Sequence, residues 1–299
     1  MKKLVFFLLI FVPLWLWGQD EKYVLLTAGL ELPDTKGTER LVVHHLIPDD
    51  LEGRQKIKKM SITPEPQRII HMDGARYAEF DLLPDTLLSK RIEIKAILIL
   101  YQRDLKTIED KGGSIQLDST GLERYLLEEK NIEKDDPYIM EVASKLKGKN
   151  TVKTAENIYN YVRSNIKYFR YGPSNPSARY ILKQGKGDFA DFSISFVALC
   201  RSLSIPARMV YGYSSFWAET PRHQWAEFYD EGLGWIPVEP TVDSGKKFNV
   251  LENKYIYMSY IYQDKLLKGS FPYYYRYQGK APGVKEFSDV KRVTVDWSF

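Results

Sequence analysis

The sequence predicts an α+β fold, in which an all-β, sandwich-like region precedes a core of helices packed on an antiparallel sheet. Three observations predict it. Short apolar or alternating runs broken by turn residues fill the chain to about Asp110. Stretches with apolar residues at spacings of three and four follow. Three strand-like runs separated by turns come next, after the helices and not interleaved with them, which is the α+β order.

Within the first region, "YVLLTAGLELP", "RLVVHHLIP", "KKMSITPEPQRIIHMDG", "RYAEFDLLP" and "RIEIKAILILYQ" read as strands of an antiparallel sandwich. Most are near strand length, and most end in Pro, Gly or another turn residue. "KGGS", residues 111–114, marks a linker. In "DDPYIMEVASKLKGKN", Asp136 caps a helix, Pro137 suits its first position and Gly148 closes it. A second helix runs from about Val152, with Ala155, Ile158, Tyr159, Val162 and Ile166 on one face. "SARYILKQGKG" is a short helix capped by Ser177 and ended by Gly185.

The central helix follows in "GKGDFADFSISFVALCRSLSIPAR", residues 185–208. Asp188 and Asp191 form a capping-box-like pair, Phe189, Phe192, Phe196, Cys200 and Leu203 line one side, and Pro206 ends it. "ARMVYGYSSFW", "RHQWAEFYD" and "GLGWIPVEPT" are the three strands of the sheet. The tail is rich in tyrosine, and the alternation of Tyr255 with Tyr257 and of Tyr260 with Tyr262 gives a strand one aromatic face, packed on the sheet in preference to forming a ligand platform.

Composition sets the outer bounds. A chain of 299 residues with 44% hydrophobic and 27% charged residues is long enough for about two domains. The net charge of +4 is small, and the basic residues alternate with acidic ones, so nucleic acid is not an expected partner. Lys2 and Lys3 precede an uncharged run from Leu4 to Trp17, the pattern of a secretory signal peptide with its exit near Gly18. Export to the periplasm or the extracellular space is expected, with an uncleaved N-terminal anchor as the alternative, and no membrane span once the peptide is removed. The single cysteine, Cys200, leaves no internal disulfide.

In order and spacing, "GKGDFADFSISFVALCRSLSIPARMVYGY", "RHQWAEFY" and "GWIPVEPT" resemble the core of the transglutaminase-like superfamily, whose members are papain-like cysteine enzymes. The likeness covers roughly residues 118–243. The organisation it suggests is a signal peptide (1–18), a β-rich domain (19–115), a transglutaminase-like core (116–243) and a Tyr-rich strand extension (244–299). The β-rich region resembles, more weakly, the domain that often precedes such cores in exported bacterial proteins.

The resemblance implies a Cys-His-Asp triad, with a helix-terminal thiolate, a histidine on the following strand and an aspartate on the next. Carried over residue by residue, the histidine is His223, the aspartate is Glu239, and the cysteine position holds Phe189. Phe189 has neither a lone pair nor a proton to transfer, so the resemblance implies a degenerate member in which the usual covalent route is closed. Glu239 keeps the charge on a chain one methylene longer. Cys200 lies about 16 Å further along the helix at ~1.5 Å per residue, where it reads as a small buried hydrophobe. Ser193 and Ser195 have no adjacent base. His44 and His45 read as surface and rim residues on opposite faces of a strand, and with His71 they offer no metal-ligand spacing to His223.

The expected function is an exported, catalytically inactive protein that binds a peptide or glycan in the vestigial cleft or serves in envelope assembly with a protein partner. The alternative is a residual amide hydrolase or acyl transferase using His223 and Glu239 without a cysteine. No cofactor or metal is expected.

Overall fold

The computed structural model describes residues 21–85, 87, 90–105, 121–173, 176–215, 221–241, 247–262 and 264–294. The expected signal segment and the expected linker at 111–114 lie outside these residues. Along the chain run β1 (Glu21–Glu31), β2 (Thr38–Ile47), β3 (Gln55–Thr63), β4 (Arg68–Met72), β5 (Ala75–Leu82), β6 (Arg91–Tyr101) and the short β7 (Arg103–Asp104). A 3-10 turn at Leu122–Leu126 leads to α1 (Pro137–Ser144), α2 (Thr151–Asn165), β8 (Lys167–Tyr168), α3 (Ala178–Gln184), β9 (Lys186–Gly187) and α4 (Phe189–Ser202). The remaining strands are β10 (Ala207–Ser214), β11 (Arg222–Asp230), β12 (Gly234–Val238), β13 (Val250–Leu251), β14 (Tyr255–Ser259), β15 (Tyr273–Gly279) and β16 (Lys285–Arg292).

Two antiparallel sheets, β16-β1-β6-β3 and β15-β2-β5-β4, make the β-rich unit. Their inner faces meet in two apolar clusters, one built on Leu26, Leu98 and Tyr77, the other on Leu30, Phe80 and Ile92. That is sandwich packing, with alternate residues of each strand directed inward. Strand β3 closes one edge and carries exposed Lys56, Lys58 and Lys59, a charge pattern that discourages further strands from adding there.

The second unit packs α1, α2 and α3 around α4, which lies against the sheet β12-β11-β10-β14. Its core contains Phe192, Phe196, Val197, Phe228 and Ile236, all fully buried. Sequence periodicity implies a one-sided central helix, but α4 is buried on every side from Asp191 to Arg201. A helix enclosed by three others and a sheet has no solvent face to keep polar. Helix α1 is shorter than its sequence suggests, ending at Ser144 with Lys145 as its cap, while the Gly148 amide instead donates to the Thr154 hydroxyl at 2.9 Å.

The tyrosine-rich tail serves three sheets. Strand β14 pairs with β10, whereas β15 pairs with β2 and β16 with β1. The apolar cluster of the sandwich therefore includes Tyr213 of β10 and Ile256 and Met258 of β14.

His44 and His45 are corrected by the structure. Both are buried; His44 Nε2 contacts Glu79 Oε2 at 2.6 Å, and His45 stacks on Tyr273 with its Nδ1 donating to the Leu46 carbonyl. Strand β2 is central in its sheet, and cross-strand neighbours cover both rings: Glu79 of β5 and Tyr274 of β15 flank His44, while Ala78 and Tyr273 flank His45.

Candidate functional site

The site is assembled at the N-terminus of α4, where three short elements converge. Gly185, with φ 61°, ends α3 in the left-handed region that glycine enters at little cost. The two-stranded parallel pair of β8 and β9 then carries the chain to Asp188. Asp188 accepts from the amides of Ala190 and Asp191, and the Asp191 carboxylate accepts in return from the Asp188 amide at 2.9 Å. This is a complete capping box, and it fixes Phe189 as the first residue of the helix. Gly187 is required there, since a Cβ would come within 2.6 Å of the Asp191 carboxylate.

Burial pushes the Asp191 carboxyl up to about 7, reinforced by the charge of Asp188. Burial raises Asp188 as well, against the pull of backbone donors and of His223. Desolvation thus outweighs the amide donors and the helix dipole at this cap.

His223 arrives from β11, paired across to Gly212 of β10. A Cβ at Gly212 would overlap the Ile256 carbonyl and touch the Trp225 ring, so glycine there lets β14 and Trp225 close on the sheet. Antiparallel pairing of Ala226 with Val238 brings Glu239 beside this end of β11. The His223 Nε2–H donates to Glu239 Oε2, and Glu239 Oε1 accepts from the Thr241 amide at 3.1 Å. Tyr255 of β14 also bonds the Glu239 carboxylate through its hydroxyl.

In the neutral imidazole, a carboxylate on Nε2 selects the tautomer with the proton there and leaves Nδ1 as the lone pair. Among the described residues Nδ1 has no hydrogen-bond partner, and the imidazole is only 1% exposed. Aromatic rings surround it. Phe189 lies 5.1 Å away between centroids at a 47° tilt, Tyr255 at 5.6 Å and Trp225 at 6.3 Å.

The residues singled out by sequence therefore separate into two groups. Phe189, His223 and Glu239 come together. Cys200 is fully buried in the helical core, where desolvation pushes its thiol far above the ordinary range. Ser193 donates to the Phe189 carbonyl at 3.1 Å, and the buried Ser195 hydroxyl has no hydrogen-bond partner among the described residues. No group of three or more His, Cys, Asp or Glu among the described residues is placed to hold a metal ion. Sequence reasoning missed the Tyr255 hydroxyl as a support of Glu239, because tyrosine alternation gives only the face and not what the ring's end touches.

Residues 141–240 match the Transglutaminase-like superfamily core model. This stretch is a transglutaminase-like domain. The structure of a candidate cysteine protease from Cytophaga hutchinsonii is 16% identical, covers 93% of this chain and 92% of its own, and superposes with a TM-score of 0.64. The periplasmic domain of TgpA from Pseudomonas aeruginosa is 14% identical over 75% of this chain and 88% of its own, with a TM-score of 0.40. No match is found among curated proteins. At 16% identity the first likeness is one of fold, and it extends beyond the transglutaminase-like domain to the β-rich unit.

Beside the α4 turn of this transglutaminase-like domain stands a group of exposed rings. The Phe169 amide donates to the Gly187 carbonyl at 2.8 Å, which ties the segment after β8 to the chain entering α4. Tyr168 and Phe169 are substantially exposed and Tyr171 is 83% exposed. Phe169 and Tyr171 meet edge to face at 6.3 Å, and the Lys186 ammonium sits 5.0 Å over Phe169.

Proposed function

We propose that this chain is an exported transglutaminase-like protein without covalent catalysis, which binds a peptide or glycan beside the N-terminus of α4. The observation that carries the reading is the Phe189 ring packed on His223, whose Nδ1 is the lone pair a thiol would need. In the family chemistry that atom takes the nucleophile's proton. Here the corresponding residue is Phe189, which has none to give, so the His223–Glu239 pair is a retained framework without its nucleophile.

A general-base route through His223 is less well supported, because a ring 1% exposed gives water little access to Nδ1. Such assistance alone supplies about 10²–10⁴-fold, little against the barrier to amide cleavage. Binding is supported by the exposed Tyr168, Phe169 and Tyr171 beside the turn, since aromatic faces offer contact area to sugars and apolar side chains at low entropic cost. The export part of the reading rests on Lys2, Lys3 and the apolar run after them.

The test is enzymatic. Purified mature protein is assayed for amide hydrolysis and for glutamine–lysine cross-linking, beside His223→Ala. The reading expects no turnover above background in either; turnover that disappears in His223→Ala would overturn it.

A further inference from the structure

On the opposite side of the β11–β12 sheet edge, three arginines converge on a cavity of about 150 Å³ that Glu52, Arg54, Arg103, Arg208, Trp235 and Tyr260 help to line. That is about the volume that admits a benzene-sized molecule. The arginines come from the loop before β3, from β7 and from β10, so the cavity is built where the sandwich meets the transglutaminase-like domain.

Two of the three guanidinium groups are already paired. Arg208 donates to Glu227 Oε2 at 2.6 and 2.8 Å, and Arg54 donates to Glu227 Oε1. Arg208 is also held between two rings, 3.8 Å from the centroid of Trp235 and 3.8 Å from that of Tyr260. Glu227 is fully buried. Burial alone would push its carboxyl up, but Arg54 and Arg208 outweigh it and hold it below the usual range.

Among the described residues Arg103 has no such ion-pair partner. It is 4% exposed, its one described bond is a long donation from Nη2 to the Trp235 carbonyl at 3.4 Å, and its Nε is buried without an acceptor among the described residues. Burial, with repulsion from Arg54, pulls Arg103 down to about 10. Three guanidinium groups therefore face one interior carboxylate, with Glu52 exposed at the rim as the other acidic group lining the cavity. A buried guanidinium that shares its only near counter-charge, Glu227, with two others is disfavoured, and its planar fork matches carboxylate and phosphate oxygens.

We infer that this cavity is a binding site for the oxyanion of a small ligand, a carboxylate or phosphate group that pairs with Arg103 while Trp235 and Tyr260 flank its body. No covalent step is involved. Nor does the inference depend on whether Phe189 silences the other site, which lies at the far end of β11.

The test is titration of the mature protein with sodium phosphate and, separately, sodium benzoate, against sodium chloride at matched ionic strength, by calorimetry and thermal shift. At least one of the two probes binds saturably with one site, and the stronger probe identifies the headgroup. Arg103→Gln weakens it at least tenfold, and Glu52→Gln, an exposed substitution that leaves the fold intact, tightens it severalfold by removing the rim charge. Absence of saturable binding beyond chloride by either probe would overturn the inference. So would wild-type affinity in Arg103→Gln, or, if that variant does not fold, unchanged affinity in Glu52→Gln.

Discussion

The Phe189 ring stands 5.1 Å from the imidazole of His223 and is tilted 47° to it, at the point where α4 begins and β11 passes. The contact helps to cover an imidazole whose Nε2 is held by Glu239. Carbethoxylation of histidine reads this directly. In the native protein exposed His71 is modified and His223 is not; in Phe189→Ala, His223 becomes reactive, at a stability cost of about 1–2 kcal/mol for a half-buried ring. Peptide mass spectrometry after brief treatment measures both sites. Equal protection of His223 in the variant would show that the ring is not what shields it.

The cap of α4 makes stability depend on pH in a defined direction. Asp191, at about 7, lies above its unfolded value of 3.8, so the folded chain favours the protonated carboxyl. The contribution is present in full below about pH 4 and is lost as pH rises through 7. Asp191→Asn cannot ionise. Its Tm relative to the native protein should therefore rise by several degrees between pH 5 and pH 8, and a pH-independent difference would contradict the desolvation of this carboxylate.

Glu227 neutralises Arg54 and Arg208 in a fully buried position. Replacing it with alanine strands both charges, and loss of one partner from a buried ion pair costs roughly 3–5 kcal/mol. Urea denaturation should show a lowered midpoint of that order. A loss under 1 kcal/mol would mean that water reaches the two guanidinium groups.

Gly212 marks the closest approach of β10 and β14. A Cβ there would overlap the Ile256 carbonyl and meet the Trp225 ring. Gly212→Ala should force the two strands apart and lower Tm more than any surface alanine substitution, with near-ultraviolet circular dichroism changed through Trp225. An unchanged aromatic spectrum would show that the strands absorb the methyl group without separating.

How far the residues foretold this molecule depends on the range of the interaction. The capping box of Asp188 and Asp191 was legible because both partners lie within one turn, and so were the caps at Asp136 and Ser177. The order of β10, β11 and β12 followed from run length and turn residues. Strand alternation in the tail was visible in Tyr255 and Tyr257, but not that β15 and β16 return to the sandwich, because periodicity specifies a face and not a partner. His44 and His45 were misjudged for the same reason: their burial depends on which cross-strand side chains cover them, Glu79 and Tyr274 for His44 and Tyr273 for His45. The cavity of Arg54, Arg103 and Arg208 was out of reach, since its three charges are distant in sequence and nothing in the local pattern brings them together.

The central claim, that Phe189 occupies a nucleophile's position over a retained His223–Glu239 pair, is tested most directly by Phe189→Cys. The native chain supplies a silent background, because Cys200 is its sole cysteine and is fully buried with its thiol pushed far up. The measurement is the rate of iodoacetamide alkylation at residue 189 between pH 5 and 9, with and without His223→Ala. The account predicts a reactive thiolate with an apparent pKa below ~8.5 that moves upward when His223 is removed. An inert thiol, or one that titrates identically in both backgrounds, would contradict it.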